Sequence, residues 1–284
     1  MPTPTSPPSM PPPLSPLRRF FADARHYQIA ALTTLLAINF AVIDFGARPA
    51  NSAGALAAAL VTQIVCTRAF ALPHLDLRSP LITGLSLCLL LRAEDPALHA
   101  VAGVIAIASK FLLRLDGKHV FNPAGFAIVV LLLTADVWIS PGQWGASIWF
   151  AALTSFFAIL VLNAARRSDI AIFFFASHAA LLIARAAWLG DPLAIPLHQL
   201  QSGSLLIFTF FMISDPRTSP DSRLGRFFFA FAVAALGHYL AFHMQMRPAL
   251  YFALIALSPL TFVIDKLLPG EKFAWTPAMQ GAAR

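Results

Sequence analysis

Ten apolar runs separated by polar loops are the feature of this 284-residue chain that most limits what it can fold into. They span residues 28–46, 53–72, 80–92, 97–113, 122–139, 145–165, 169–188, 202–214, 227–243 and 248–268. Because a helix needs about 20 residues to cross a bilayer, most of these runs have the length of a transmembrane helix. Hydrophobic residues make up 58% of the chain and charged residues 12%, which is too apolar for a soluble domain. The sequence therefore predicts an all-α integral membrane protein with about ten transmembrane segments.

The third and eighth runs are short, and each stands third in a group of five. Both groups carry an Asp-Pro pair after the short run and a Pro-Ala pair at the start of the fifth run. These pairs are Asp95-Pro96 with Asp215-Pro216, and Pro123-Ala124 with Pro248-Ala249. Since five spans reverse the starting side, we predict a 5+5 inverted repeat with halves at about 28–139 and 145–268. In such folds the interrupted segments meet near the midplane of the membrane and form the binding site.

The positive charges predict the orientation of the chain. With the N-terminus in the cytoplasm, fifteen of the 20 Lys and Arg residues fall on the cytoplasmic side and only four on the opposite side, which are Arg48, Arg92, Arg185 and Arg247. This asymmetry follows the positive-inside rule, so we assign the net charge of +7 to it and not to nucleic-acid binding. We predict a disordered, Pro-rich cytoplasmic tail at 1–17, a transmembrane domain at 18–270 and a cytoplasmic tail at 271–284. The protein is then a multi-pass protein of a bacterial-type inner (plasma) membrane with both termini in the cytoplasm.

A polar cluster just before the fifth apolar run is a candidate binding site. Lys110 and Arg114 are four residues apart and share a helix face, and Asn122 is placed to cap the helix that begins at Pro123. Free N–H groups at a helix start, together with these cations, would attract a phosphate, a carboxylate or an electron-rich ring. The alternative is that Arg114 is a flanking charge that extends to lipid headgroups.

Four more polar residues lie on the short runs or directly after one of them. Thr83, Ser86 and Thr209 are candidate hydrogen-bond donors to a ligand, although such hydroxyls also bond their own helix backbone. Asp215 is a candidate because ionisable groups inside membranes are usually functional, but an Asp before Pro is also a common turn former. The sequence has no signature of a soluble catalytic or metal site, so we predict neither catalytic residues nor a metal site.

Several of these motifs resemble the RnfD/NqrB family, which contains membrane components of the Rnf ferredoxin:NAD oxidoreductase and of the Na+-translocating NADH:quinone oxidoreductase. The matching residues are Ser109-Lys110, Phe121–Ala124, Ser202-Gly203, Phe210–Pro216, Thr218 and Ile264-Asp265. The resemblance extends from about residue 28 to 270. It implies a ten-helix inverted repeat and a flavin-bearing subunit of an ion-coupled electron-transfer complex.

One part of the family pattern is missing. Members of the family carry a flavin esterified through phosphate to a threonine, in a long loop after the helix that begins with the Phe-Asn-Pro-Ala sequence. The corresponding loop here, residues 140–145, reads Ser-Pro-Gly-Gln-Trp-Gly and has no threonine. We therefore expect a shortened form without covalent FMN. The resemblance still implies that FMN or riboflavin is held non-covalently.

Two functions remain open from the sequence. In the first, the chain is a non-catalytic or electron-carrying subunit that couples electron transfer to ion transport, and it needs partner subunits because it supplies at most one carrier. In the second, the same scaffold is a non-redox transporter or channel for a small solute or a flavin. The short loop favours the second function, and the retained motifs are neutral because a shared fold does not fix function.

Overall fold

Helices form most of the part of the chain that the computed structural model describes, which is residues 23–142, 148–165 and 168–273. The first half contains α1 (Ala24–Ala41), α2 (Pro49–Ala69), α3 (Arg78–Leu90), α4 (Pro96–Leu112) and α5 (Pro123–Thr134). The second half contains α6 (Ile148–Ala165), α7 (Ser168–Leu189), α8 (Ala194–Leu200), α9 (Gly203–Ile207), a π-helix (Phe208–Met212), α10 (Arg223–Phe242), α11 (Ala249–Leu257) and α12 (Leu260–Leu267). The strands β1 (Leu91–Arg92), β2 (Arg114–Leu115), β3 (Lys118–His119) and β4 (Trp138–Ile139) are two residues long. The predicted tail at 1–17 and most of the tail at 271–284 lie outside the described residues.

The helices agree with the predicted apolar runs. Each of the ten runs contains a helix in the described ranges, which confirms the all-α membrane fold class. By length and hydropathy alone, α2, α7 and α10 can each cross a membrane, and α11 with α12, bent by 51°, can form a fourth span. The shorter apolar helices are α3, α4, α5 and the α9–π-helix segment. Ten full crossings and the exact 5+5 repeat therefore stay predictions.

The outer surface of the long helices is apolar. Large hydrophobic side chains are exposed on α6, α7 and α10, among them Phe156, Ile172, Trp188, Phe228 and Phe231. A soluble protein rarely exposes so many apolar side chains together. A bilayer provides the apolar surroundings that these faces require.

Polar side chains fix where several helices begin. Asp23 caps α1, Asp95 caps α4 and Asn122 caps α5. In each case a side-chain oxygen accepts a hydrogen bond from a backbone N–H in the first turn of the helix. Pro96 and Pro123 follow two of these caps, in the first turn where a missing N–H costs nothing. The caps therefore set the registers of α4 and α5, which carry the candidate site residues.

Small residues bring α2 and α4 into close contact, side by side. A Cβ atom placed on Gly103 would lie 2.7 Å from the carbonyl oxygen of Ala55 and 3.0 Å from the backbone N of Ala59. Glycine and alanine at such positions let membrane helices approach closely. The two helices run in the same direction, and Lys110 and Gln63 both follow the contact point towards the C-terminal ends of α4 and α2. The same contact therefore places Lys110 beside Gln63.

The stretch after α5 contacts the end of the third segment and the start of the eighth. Strand β1, which follows α3, pairs antiparallel with β4. A few residues later, the carbonyl oxygen of Gly142 accepts a hydrogen bond of 2.9 Å from the backbone N–H of Gly203, at the start of α9. A Cβ on Gly203 would lie only 2.8 Å from that oxygen, so this close approach depends on glycine. The stretch after α5 thus links the third segment to the eighth at one end of the bundle.

The opposite end of the bundle gathers the start of α1 and the end of α12. Asp23, before α1, forms a salt bridge of 2.8 Å with Arg78. Lys118, in the turn between α4 and α5, forms salt bridges of 2.8 Å with Asp221 and 2.7 Å with Asp265 of α12. The described chain therefore begins and ends at the same end of the bundle. That this end faces the cytoplasm stays a prediction.

Candidate functional site

A cavity of about 420 Å³ opens at this end, between the starts of α1 and α5, the first half of α3, the end of α4 and the turn after the π-helix. Six of the seven residues that the sequence singled out line it: Thr83, Ser86, Lys110, Arg114, Asn122 and Asp215. Thr209 is not among the lining residues; it is fully buried, and its hydroxyl donates to the backbone oxygen of Leu205 at 2.7 Å. The fold thus brings residues from both halves of the chain around one space. Their role in binding stays a prediction.

Lys110 is the most deeply placed cation of the cavity. Its residue is only 6% exposed, and its Nζ donates to the Ser79 hydroxyl at 2.7 Å and to Gln63 Oε1 at 3.3 Å. Both partners are neutral, so they satisfy hydrogen bonds without neutralising the charge. A buried ammonium group without a paired carboxylate is costly, and an anionic ligand in the cavity would remove that cost.

Arg114 and Arg217 add two more positive charges to the cavity wall. Arg114 is exposed, and the hydrogen bond of its Nη2 within the described ranges is a long one, 3.5 Å, to the carbonyl oxygen of Gly117. Arg217 follows the Asp215-Pro216 pair and is half-buried. Within the described ranges, neither guanidinium nor Lys110 takes part in a salt bridge.

Asn122 and Asp215 join the two halves of the chain beside the cavity. Asn122 Oδ1 caps α5 through the N–H of Gly125 at 3.0 Å, while its Nδ2 lies 3.4 Å from both the carbonyl oxygen of Met212 and Asp215 Oδ2. Asp215 Oδ1 accepts the backbone N–H of Arg217 at 2.9 Å. The hydrogen-bonding groups of Asn122 are thus already used within the protein, which suits positioning the turn more than contacting a ligand.

The hydroxyl groups of α3 bond their own helix, which is the alternative that the sequence left open. Thr83 Oγ1 donates to the backbone oxygen of Ser79 at 3.0 Å, and Ser86 Oγ donates to that of Ile82 at 2.9 Å. A hydroxyl that has donated its hydrogen can still accept one. Thr83 and Ser86 therefore remain available to a ligand only as acceptors.

His119 lies on the cavity wall among the cations. Burial lowers the pKa of His119 to about 3, and the neighbouring charges of Arg217, Lys110 and Arg114 act in the same direction. The ring is therefore neutral at physiological pH. Its Nδ1 is buried without a hydrogen-bond partner in the described structure, so a ligand that carries an N–H or O–H group would satisfy it.

Alternating charges close one side of the cavity mouth. Arg25 bridges Asp23 at 2.7 Å and Asp76 at 2.6 Å, and Arg78 bridges the same two carboxylates at 2.8 and 3.0 Å. Burial alone would raise the pKa of Asp23, but its hydrogen bonds with Arg25 and the charges of both arginines hold that pKa below its usual value. This ring of two cations and two anions is neutral in total and ties α1 to the start of α3.

Apolar and aromatic side chains complete the wall. Phe111, Phe210 and Phe211 line the cavity together with Ile82 and Ala124. A ligand with a flat apolar ring and an anionic group would meet both kinds of surface. Such a combination of mostly apolar lining with a few polar groups is typical of small-molecule sites.

Sequence reasoning missed several residues of this site. Gln63, Ser79, Arg25 and Arg217 line the cavity but did not stand out as site candidates. Gln63 carried a usable signal, because an amide two-thirds of the way along a mostly apolar membrane helix is unusual. Ser79 and Arg25 carried none, since only the packing of the helices brings them to the cavity.

The fold and the cavity define a class: a helical membrane protein with a cation-lined small-molecule cavity open at one end of its bundle. Residues 134–274 match the model of the NQR2, RnfD, RnfE family. Members of this family are membrane subunits of Rnf- and Nqr-type complexes. Among curated proteins, none matches the chain. The matched range includes Asp215 and Thr209 of the predicted site, whereas Lys110, Arg114, Asn122, Thr83 and Ser86 precede it.

Proposed function

We propose that this chain is the membrane subunit of an Rnf- or Nqr-type electron-transport complex and that its cavity holds a flavin without a covalent bond. The family of residues 134–274 supports the first part. The observation that carries the second part is the cavity itself, in which three cations without ion pairs in the described ranges face an aromatic wall. A flavin mononucleotide combines the two chemical groups that such a cavity suits, a flat ring system and a phosphate.

The residues of the chain would bind and orient this group. Phe210 and Phe211 offer surfaces to the isoalloxazine ring, and Lys110 with the arginines offers charge to the phosphate. His119 Nδ1 offers an acceptor to a ring N–H. The bound flavin would supply the capacity to accept and release electrons, which the side chains described around this cavity lack.

Electron transfer would require partner subunits, because one flavin in one chain has no donor and no acceptor. The complex would couple this transfer to ion transport in the membrane. The loop at 140–145, part of which lies outside the described residues, carries no threonine for an ester bond. We therefore propose FMN or riboflavin in a non-covalent site and no covalent FMN.

A second candidate is a non-redox transporter of a small solute or of the flavin itself. A second, small cavity of about 20 Å³ lies at the other end of the short segments, beside Leu89 of α3 and Gly203 of α9. The two cavities thus touch the same pair of segments at opposite ends, as a solute path between the halves would require. In this case the ligand would bind and leave without any redox change.

One measurement separates these functions. Protein purified in mild detergent is expected to retain an absorption band near 450 nm, a property of the flavin ring, that bleaches on reduction. Lys110→Ala is expected to lower the flavin content, whereas Lys266→Ala, which removes an exposed lysine outside the cavity, is expected to leave it unchanged. Colourless protein that nevertheless binds and releases a solute would favour the transporter. Equal flavin content in both variants would remove Lys110 from the site.

A further inference from the structure

Arg92 is a buried arginine at the end of the bundle where β1 pairs with β4. It stands two residues after the end of α3 and is only 4% exposed. Within the described ranges, no salt bridge joins its guanidinium group to a carboxylate. Its acidic neighbour Asp44 is exposed, and Asp44 Oδ1 accepts the backbone N–H of Gly46 at 2.7 Å. The charge of Arg92 is therefore held inside the protein without a paired acid.

Backbone carbonyl groups surround this charge instead. Nε donates to the carbonyl oxygen of Phe45 at 2.9 Å, and Nη2 donates to that of Leu89 at 3.2 Å. Nη1 donates to the carbonyl oxygens of Cys88 at 2.9 Å and Leu91 at 2.7 Å. These four oxygens are called the carbonyl cage below. They use four of the five N–H groups of a guanidinium group.

The carbonyl cage has the composition of a cation site. The last four carbonyl groups of a helix lack partners within the helix and carry its negative dipole end. At the end of α3, Leu87 accepts the N–H of Leu91, and Leu90 accepts that of Ser140. Arg92 bonds the other two. Transporters with interrupted helices bind cations through such helix ends and unwound carbonyls, and in this chain the cation is a side chain.

The carbonyl cage borders the space between the third and eighth segments. Phe45 and Leu89 of the cage also line the cavity of about 20 Å³. Leu89 lines this small cavity and Ser86 lines the large one, so on α3 the two cavities are about one helical turn, roughly 4.5 Å, apart. On the eighth segment, Ile207 and Phe210 line the small and the large cavity in the same way. A positive charge here stands where the connection between the two cavities is narrowest.

The lining of the small cavity adds to this barrier. Asn39 lines it and is only 3% exposed, and its Nδ2 is buried without a hydrogen-bond partner in the described structure. Asn39 Oδ1 is already used, because it accepts the backbone N–H of Phe45 at 3.3 Å. An N–H group repels a cation, and a volume of about 20 Å³ holds about one water molecule. A small cation would therefore meet a donor and a fixed charge.

The two short segments differ in this feature. Arg92 stands three residues before Asp95, and Met212 stands three residues before Asp215. The carbonyl oxygen of Met212 lies 3.4 Å from Asn122 Nδ2, a neutral donor. The eighth segment thus ends without a tethered cation, beside the large open cavity. The barrier belongs to the third segment and to one end of the path.

We propose that Arg92 is a cation barrier: its guanidinium group fills a cation site formed by the carbonyl cage and closes this end of the space between the short segments to small cations. An arginine in a narrow passage excludes cations by its charge. This inference does not depend on a bound flavin. A solute that passes this end is neutral or anionic, and a cation coupled to electron transfer would take another route.

The first test measures cation entry into liposomes that contain the purified full-length protein and a trapped Na+-sensitive dye. Wild-type protein should be as tight as empty liposomes. Arg92→Ala should raise Na+ entry about tenfold or more, since a unit charge a few ångströms away strongly raises the energy of a second cation. Arg92→Lys keeps the charge and should stay tight. Arg48→Ala, at an exposed arginine before α2, is the control and should behave as wild type. Na+ entry through wild-type protein, or a tight Arg92→Ala, overturns the inference.

The second test asks whether the emptied carbonyl cage binds a free cation. Ethylguanidinium should block the Na+ entry of Arg92→Ala and raise its melting temperature, with half of the effect at on the order of 1 mM, since a ligand of so few atoms binds weakly. It should not change the melting temperature of wild-type protein or Arg48→Ala. If Arg92→Ala leaks and ethylguanidinium does not block the leak, the variant has only loosened the bundle, and the cation site is wrong.

A further variant covers the case in which Arg92→Ala does not fold. Arg92→Gln keeps two N–H donors for the carbonyl cage but carries no charge. It should fold and should admit Na+ at a rate well above that of Arg92→Lys. If Arg92→Gln is as tight as wild-type protein, hydrogen bonding at the end of α3 is sufficient to close this end, and the charge barrier is overturned.

Discussion

Gly103→Ala should show how strongly the crossing of α2 and α4 controls the site. The new methyl group would lie 2.7 Å from the carbonyl oxygen of Ala55, and ordinary contact begins at 3.4 Å, so the helices must separate by about 0.7 Å. Overpacking of this kind costs about 1–3 kcal/mol. Gly54→Ala is the matched control, because its methyl group would lie 3.8 Å from its nearest neighbour, the carbonyl oxygen of Pro96. Both variants gain the same helix propensity of about 1 kcal/mol.

The difference between these two variants therefore isolates the steric cost. Both variants can be unfolded with sodium dodecyl sulfate in mixed micelles and followed by circular dichroism. The free energy of unfolding of Gly103→Ala should be lower than that of Gly54→Ala by about 1–3 kcal/mol. A separation of about 0.7 Å would also stretch the Lys110–Gln63 hydrogen bond from 3.3 Å to about 4.0 Å, beyond bonding distance. Gly103→Ala should then also retain less flavin, as expected for Lys110→Ala. Equal stability of the two variants would refute the close approach of α2 and α4.

Two further predictions concern the turn between α4 and α5. The free energy of unfolding should decrease as the pH is lowered from about 6.5 to about 3. The pKa of His119 is lowered to about 3 in the folded protein, so the unfolded chain binds the proton at a higher pH than the folded chain does. His119→Gln should reduce this slope by at most about 1.4 kcal/mol per pH unit in unfolding measured at pH 7 and 5; an unchanged slope would speak against burial of a neutral ring. Lys118→Met should destabilise the protein by about 3 kcal/mol, since it leaves the carboxylates of Asp221 and Asp265 without this cation. The double variant Lys118→Met/Asp265→Asn should recover part of the lost stability. If Lys118→Met leaves the melting temperature unchanged, the pairing is contradicted.

Much of the site could be predicted from charge and spacing. Lys110 and Asp215 stand out because charged groups are rare in apolar segments, and the Asn122-Pro123 pair carries its own helix-start signal. The hydroxyl groups were harder to interpret. Thr83, Ser86 and Thr209 look alike in the sequence, and only the packing decides that Thr209 is enclosed while the other two face the cavity.

The sequence by itself determined that this chain is a helical membrane protein, because its ten apolar runs cannot be buried in one soluble core. It also determined that the third and eighth runs are short, since their lengths are written directly in the residues between polar ends. Only the tertiary structure decided that Gln63 and Ser79 hold Lys110, and that Arg217 joins Arg114 around one cavity. Residues separated by tens of positions meet through helix packing, and that packing depends on shapes, such as the missing side chain of Gly103, that leave no periodic trace in the sequence.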